Sequence, residues 1–190
     1  MDDVEVANKV FLVLTLVSDA AVAIAIALFS GSLVSERLRR VRGRGVDALG
    51  PHAIRIAALV GVVTMLGSLY YSEIAGFVPC ELCWYQRIVM YPLAVVLVVG
   101  VVSRAPNVVW FAAPFATIGP PLALYHWLVE RVPALAESAS CSALVPCSVP
   151  YFEEIGFVTL AFMDLSAFLV IVVMLVTERT ARRARQLEAV

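Results

Sequence analysis

Five long stretches of this chain carry almost no charge. Val10 to Ser35, Ile56 to Ser72, Ile88 to Ser103, Ala105 to Val129 and Ile155 to Thr177 are each bounded by acids, lysine or arginine, and only the first and last hold a charge inside, Asp19 and Asp164. About 20 apolar residues cross a bilayer as a helix. With no water to satisfy the backbone there, a helix is the form such a run can take. The third stretch is short by strict count, but it reaches full length if the helix starts near Cys83 and carries Arg87 in its first turns. Composition agrees: 62% of the 190 residues are hydrophobic and 15% charged, against roughly 25% charged in an average soluble domain. The fold class expected is an all-α membrane protein with five spans. The connections are short, and the chain shows no internal repeat, Gly/Ser linker or low-complexity tract.

The first span differs from a cleaved secretory signal. Its leader, "MDDVEVANK", has three acids and one lysine, its apolar run is too long for an ordinary signal, and the positive charges follow it. It is expected to remain as a membrane helix.

Arginines set the orientation. Arg37, Arg39, Arg40, Arg42, Arg44 and Arg55 lie between spans one and two, Arg104 between three and four, and Arg179, Arg182, Arg183 and Arg185 after span five. By the positive-inside rule these segments face the cytoplasm. The acidic amino terminus, "YYSEIAGFVPCEL" and "ERVPALAESASCSALVPCSVPYFEE" then face outward, and the carboxyl terminus is cytoplasmic. The arginine runs read as solvated ends of spans, so no nucleic-acid role is expected.

All four cysteines fall in the two outward loops, Cys80 with Cys83 and Cys141 with Cys147. An oxidising outer compartment permits any of the three pairings of four cysteines. Three chemistries compete. Inert loop disulfides would suit Cys141 and Cys147, but a bridge across two intervening residues constrains little chain. A four-cysteine metal site would use CxxC as a zinc half-site, yet the gap of five residues in the second pair exceeds usual ligand spacing, and no metal is expected. A dithiol relay would let one pair exchange with a soluble partner while the other passes electrons to an acceptor in the membrane. Arg87 favours the relay. It lies four residues after Cys83, one turn along the same helix face, where a cation favours thiolate. The alternative for Arg87 is snorkelling to the interface.

"CELCWYQRIVMYP" resembles the DsbB family of membrane disulfide oxidoreductases, with most likeness to its BdbC-like branch. The run "LALYHWLVERVPALAESASCSALVPCSVPYFEEIGFVTLAFMDLSAFL" resembles it too. The resemblance implies a four-helix transmembrane bundle over residues 53–178, preceded in residues 1–52 by one extra amino-terminal transmembrane helix and a basic loop, and followed in 179–190 by a basic tail. It implies a quinone, ubiquinone or menaquinone, beside the CxxC, linked to the respiratory chain. It also implies a DsbA-like thioredoxin-fold partner outside the cytoplasmic membrane. Carried over by motif, Cys80 and Cys83 face the quinone, Arg87 contacts its ring oxygen, His126 in "YHWL" lies beside it, and Cys141 and Cys147 face the partner. A vitamin K epoxide reductase-like thiol enzyme is the alternative within the class, and a non-catalytic membrane protein with structural disulfides the alternative outside it.

Departures from the family pattern carry their own expectations. The extra helix puts the amino terminus outside, and Glu130 stands where relatives often have glutamine. His126 could instead be an interfacial histidine paired with Glu130. Trp84, Tyr85 and Trp127 suit an aromatic belt at the membrane surface better than a quinone site. Asp19 and Asp164, as intramembrane acids, serve either function or interhelical hydrogen bonding. Pro114, Pro120 and Pro121 are expected to kink or break the fourth span.

Overall fold

A computed structural model describes residues 3–139, 141–142 and 144–188; Met1 and Asp2 of the acidic leader, and Ala189 and Val190 of the basic tail, lie outside the described residues. The described residues hold no strand, and five helices are long and apolar enough to cross a membrane. In order the helices are α1 (Asp3–Gly31), α2 (Glu36–Leu49), α3 (Ala53–Leu69), α4 (Glu81–Val102), α5 (Val108–Arg131), α6 (Pro133–Ser138) and α7 (Leu160–Glu188).

Helices α3, α4, α5 and α7 form the bundle, each packed on two of the others, and α1 lies outside this ring against α7. Small residues let these helices approach closely, the usual device where lipid removes a hydrophobic drive for association. Ala112, Ala116, Gly119 and Ala123 make a buried stripe along α5. A Cβ on Gly119 would lie 2.2 Å from Phe168 Cδ1, so the fully buried Phe168 of α7 fits only against a bare backbone. Gly61 of α3 similarly faces Ala94 of α4.

Three expectations change. The basic segment after span one is not a loop: "ERLRRVRGRGVDAL" is the helix α2, and a 3₁₀ turn (Gly50–His52) joins it directly to α3. Glycine at 50 matters because a Cβ there would sit 2.4 Å from Ala181 on α7. The fifth span starts at Leu160 rather than Ile155, since Ile155 and Gly156 take positive φ angles of 47° and 82° in a turn closed by a Glu154–Val158 bridge. Finally, Pro114, Pro120 and Pro121 do not break α5, which is helical from Val108 to Arg131. A proline costs one helical hydrogen bond at its own nitrogen, and Thr117 Oγ1 donates to the Pro114 carbonyl at 3.0 Å.

The two ends of the bundle differ in character. All the helix ends rich in arginine gather at one end, where Arg182 donates to the Pro106 carbonyl at 2.7 Å and pairs with Glu178, and Arg179 lies over the Trp110 ring. The opposite end carries both cysteine loops, held together by aromatic side chains. Tyr151 stacks on Phe77 with centroids 4.4 Å apart, Phe77 stacks on Tyr71 at 5.6 Å, and Phe152 packs against Tyr71 at 5.5 Å. Tyr151 also donates to the Val78 carbonyl at 2.8 Å, two residues before Cys80.

Candidate active site

The CxxC occupies the first turn of α4. Cys80 is the N-cap, extended in backbone, and its sulfur accepts a hydrogen bond from the Cys83 backbone N–H at 3.2 Å. This satisfies one of the donors that a helix start leaves free. His126, buried on α5, brings Nε2 to 3.6 Å from Cys80 Sγ. Its Nδ1 lies 2.9 Å from Gln86 Oε1. A carbonyl oxygen only accepts, so Nδ1 carries hydrogen and Nε2 is left to face the sulfur. It then accepts from a thiol or, once protonated, donates to a thiolate. The Cys80 thiol is held well below its ordinary range, first by the hydrogen bond from the Cys83 side chain, then by His126 and last by the Cys83 backbone N–H, against the opposing effect of burial. A helix start adds to the same preference for anion.

The two cysteines of the CxxC lie close together but differ in what else they border. Cys80, 5% exposed, shares a buried cluster with Leu82, Val129 and Cys147, itself 3% exposed. Cys83 packs against the edge of this cluster and also lines a cavity of about 280 Å³ between α1, α3, α4 and α7. That volume lies near the lower end of small-molecule sites, roughly 300–1,000 Å³. The cavity is polar at the CxxC end, with Gln86, Arg87, His126 and Ser68, and apolar deeper in, with Leu59, Val60 and Val63 of α3.

Arg87 lines this cavity from one turn below Cys83. It does not reach for solvent. Nε and Nη2 donate to Ser68 Oγ and the Ser68 carbonyl at 3.0 and 2.8 Å, which fixes the guanidinium on α3 and leaves Tyr91 to donate to the same hydroxyl. Trp84 and Tyr85, by contrast, are largely exposed at the cysteine end, as a belt requires. Trp127 donates to the Phe157 carbonyl at 3.0 Å. Glu130 does not pair with His126; it accepts from Thr159 at 2.6 Å.

Cys141 and Cys147 form a disulfide with Cα atoms 6.0 Å apart. The four-cysteine metal arrangement is therefore not formed, although Cys80, Cys83 and His126 bring three donor atoms within 4.8 Å of one another. Asp164 also lines the cavity, and its Oδ2 is buried with no hydrogen-bond partner among the described residues. Asp19 sits against Ser166 of α7, an interhelical contact.

Sequence reasoning missed three participants. Gln86 fixes the ring of His126, and its position between the two cysteines and Arg87 in the same motif was the available signal. Ser68 holds Arg87, and the Tyr71–Phe77–Tyr151–Phe152 cluster joins the loops; both arise from tertiary packing with no local signature.

Residues 51–177 match the family model described as "Disulfide bond formation protein DsbB". The chain belongs to this family. Among curated relatives of this DsbB-family chain, "Disulfide bond formation protein C" of Bacillus subtilis is 43% identical over 115 residues, covering 60% of this chain and 83% of the relative. "Probable disulfide formation protein C" of Halalkalibacterium halodurans is 43% identical over 113 residues, covering 60% and 82%. "Probable disulfide formation protein" of Oceanobacillus iheyensis is 43% identical over 128 residues, covering 64% and 86%. No solved structure matches. Membership makes the chain a disulfide-forming oxidoreductase of the membrane, and the matched region contains α3, α4, α5 and α7 as far as residue 177, but not α1.

Proposed function

We propose that this protein is a dithiol:quinone oxidoreductase that reoxidises an extracytoplasmic, DsbA-like thioredoxin-fold partner, with the cysteine end and amino terminus outside the cytoplasmic membrane and the arginine end in the cytoplasm. Residues 53–178 are its catalytic domain, residues 1–52 an added helix and basic segment, and 179–190 a basic tail. The observation that carries this reading is the placement of Cys83 on a membrane-depth cavity while its partner Cys80 packs in one cluster with Cys147.

The cavity suits a quinone, ubiquinone or menaquinone. Gln86 Nε2 is a buried donor with no hydrogen-bond partner among the described residues, which suits a ligand carbonyl, since an unmade buried hydrogen bond costs about 1–3 kcal/mol. Arg87 and His126 stand beside it, and the apolar end accommodates a tail. A bound quinone would supply a two-electron, two-proton acceptor drained by the respiratory chain.

The protein's own steps are thiol–disulfide exchanges. Cys141 is half-buried and Cys147 fully buried, so a partner thiolate attacks Cys141 Sγ, Cys147 leaves as thiolate, and the partner's second thiol then releases its own disulfide. The Cys147 thiolate attacks Cys80 Sγ and Cys83 leaves. Cys141 attacks Cys147, and Cys80 leaves as a thiolate that already has the Cys83 N–H and His126 to receive its charge. A leaving group of low pKa speeds such an exchange. Two electrons and two protons then remain on Cys80 and Cys83 beside the cavity.

Purified protein in nanodiscs, supplied with reduced partner and quinone, is expected to form one quinol per partner disulfide and to stop on Cys83→Ser or Cys141→Ser. Thiol oxidation without quinol formation would overturn this function.

A further inference from the structure

The additional helix α1 is more than an anchor. Phe11, Leu14, Thr15 and Ser18 recur at the three-and-four spacing of one helical face, and all four line the cavity that holds Cys83 and Arg87. The other side of α1 is lipid-facing, with Val10, Val13 and Val17 exposed, and Leu14, 45% exposed, stands at the rim between the two sides. Without α1, the side of the cavity between α3 and α7 would lack this wall.

The seating of α1 is specific. Phe11 fills a notch over Gly67 of α3, where an added Cβ would lie 2.5 Å from Phe11 Cζ. Tyr71 donates to Asn8 Oδ1 at 2.8 Å with both residues buried, and Lys9 pairs with Glu154 at 2.9 Å, just before the turn into α7. These contacts fix both the height and the rotation of the helix. The lining also has direction: Phe11 lies nearer the cysteine end and Ser18 about 10 Å deeper, at 1.5 Å per residue, opposite the apolar Leu59, Val60 and Val63.

We propose that α1 is a structural wall of the acceptor site, and that the stripe Phe11, Leu14, Thr15 and Ser18 determines which quinones fit, by bounding the space for the first part of the tail. This rests on the quinone reading above. The redox step is unchanged: two electrons and two protons pass from Cys80 and Cys83 to the quinone as their disulfide forms.

Two measurements on the full-length protein test it. An azido-quinone photolabel is expected to mark the α1 peptide containing residues 11–18 in the native protein, and excess unlabelled quinone to suppress the mark. Thr15→Leu and Ser18→Leu narrow the cavity, and overpacking of this kind is expected to raise the quinone KM at least about fivefold. The KM for the reduced partner should stay constant. Leu14→Ala should shift the kcat/KM ratio between short-tailed and long-tailed quinones, while Val17→Leu on the lipid face should not. If the native protein reduces quinone but α1 is unlabelled and these ratios do not move, the wall proposal fails alone. If the native protein reduces no quinone, the acceptor reading fails and takes this one with it.

Discussion

Replacing His126 with phenylalanine removes the imidazole from Cys80 while keeping a ring of similar shape. Nε2 stands 3.6 Å from the sulfur, within reach of a hydrogen bond to a large acceptor atom. Hydrogen bonds to charged groups are worth about 1.5–3 kcal/mol, and one pKa unit corresponds to about 1.4 kcal/mol. His126→Phe should therefore raise the Cys80 pKa by roughly 1–2 units. Because a stabilised thiolate favours the reduced pair, the same loss should make the Cys80–Cys83 couple more reducing by about 30–60 mV, at 30 mV per 1.4 kcal/mol for two electrons. The assay uses a background with Cys141→Ser and Cys147→Ser, so that only the CxxC titrates. Alkylation of Cys80 against pH gives the first quantity, and equilibration with a thiol buffer gives the second. The stability consequence has a definite sign. The folded thiol lies below its unfolded value of about 8.5, so its contribution to the reduced protein is fully present above that pH and is lost as pH falls through the folded value. Unfolding curves of the reduced protein should show a smaller slope in His126→Phe, since the contribution of Cys83 remains. Gln86 Oε1 loses its partner in the variant, so a modest fall in Tm is expected and does not count against the reasoning. An unmoved alkylation midpoint together with an unmoved potential in a folded variant would refute the thiolate assignment.

Three further outcomes are expected. A partner lacking its second cysteine should be trapped as a mixed disulfide in Cys147→Ser and not in Cys141→Ser, as read by non-reducing gel; trapping that requires Cys147 would reverse the roles of the two. Gly119→Ala drives a methyl into Phe168 and should cost about 1–3 kcal/mol, seen as a lower Tm in detergent with the CxxC chemistry intact. A reporter that works only outside the cytoplasm should be active when inserted at Ala136 and silent when fused at the carboxyl terminus; the opposite pattern would invert the orientation.

Much of this molecule was legible because membrane helices announce themselves locally. Uncharged runs located all five spans, and the motif around Cys80, Cys83 and Arg87, at a helix start, carried the likeness to the family. The misreadings share a cause, since they concern what neighbours do to a local signal. Arginine and glycine in "RLRRVRGRG" read as a loop, yet Leu38, Val41, Val46 and Leu49 fall on one side at helical period and allowed an amphipathic helix, α2, that packs on α7. Three prolines read as a kink or a break in α5, and of the two the break does not occur: the helix runs on through them, with Ala112, Ala116 and Gly119 buried along it. The hold of Ser68 on Arg87, or of Gln86 on His126, spans 19 and 40 residues, and no pattern along the chain encodes a partner at that distance.

The burial of Cys80 and Cys147 has a consequence for leakage. In the proposed relay, small thiols at the cysteine end of the bundle meet Cys141 before Cys147 and Cys80, because Cys141 is half-buried while those two residues are 3% and 5% exposed. Such a path behaves like an insulated conductor, open to water at one contact and to the bilayer at the other. In that relay stray reductant would be kept from Cys80, and the selectivity of the current would be decided at Cys141.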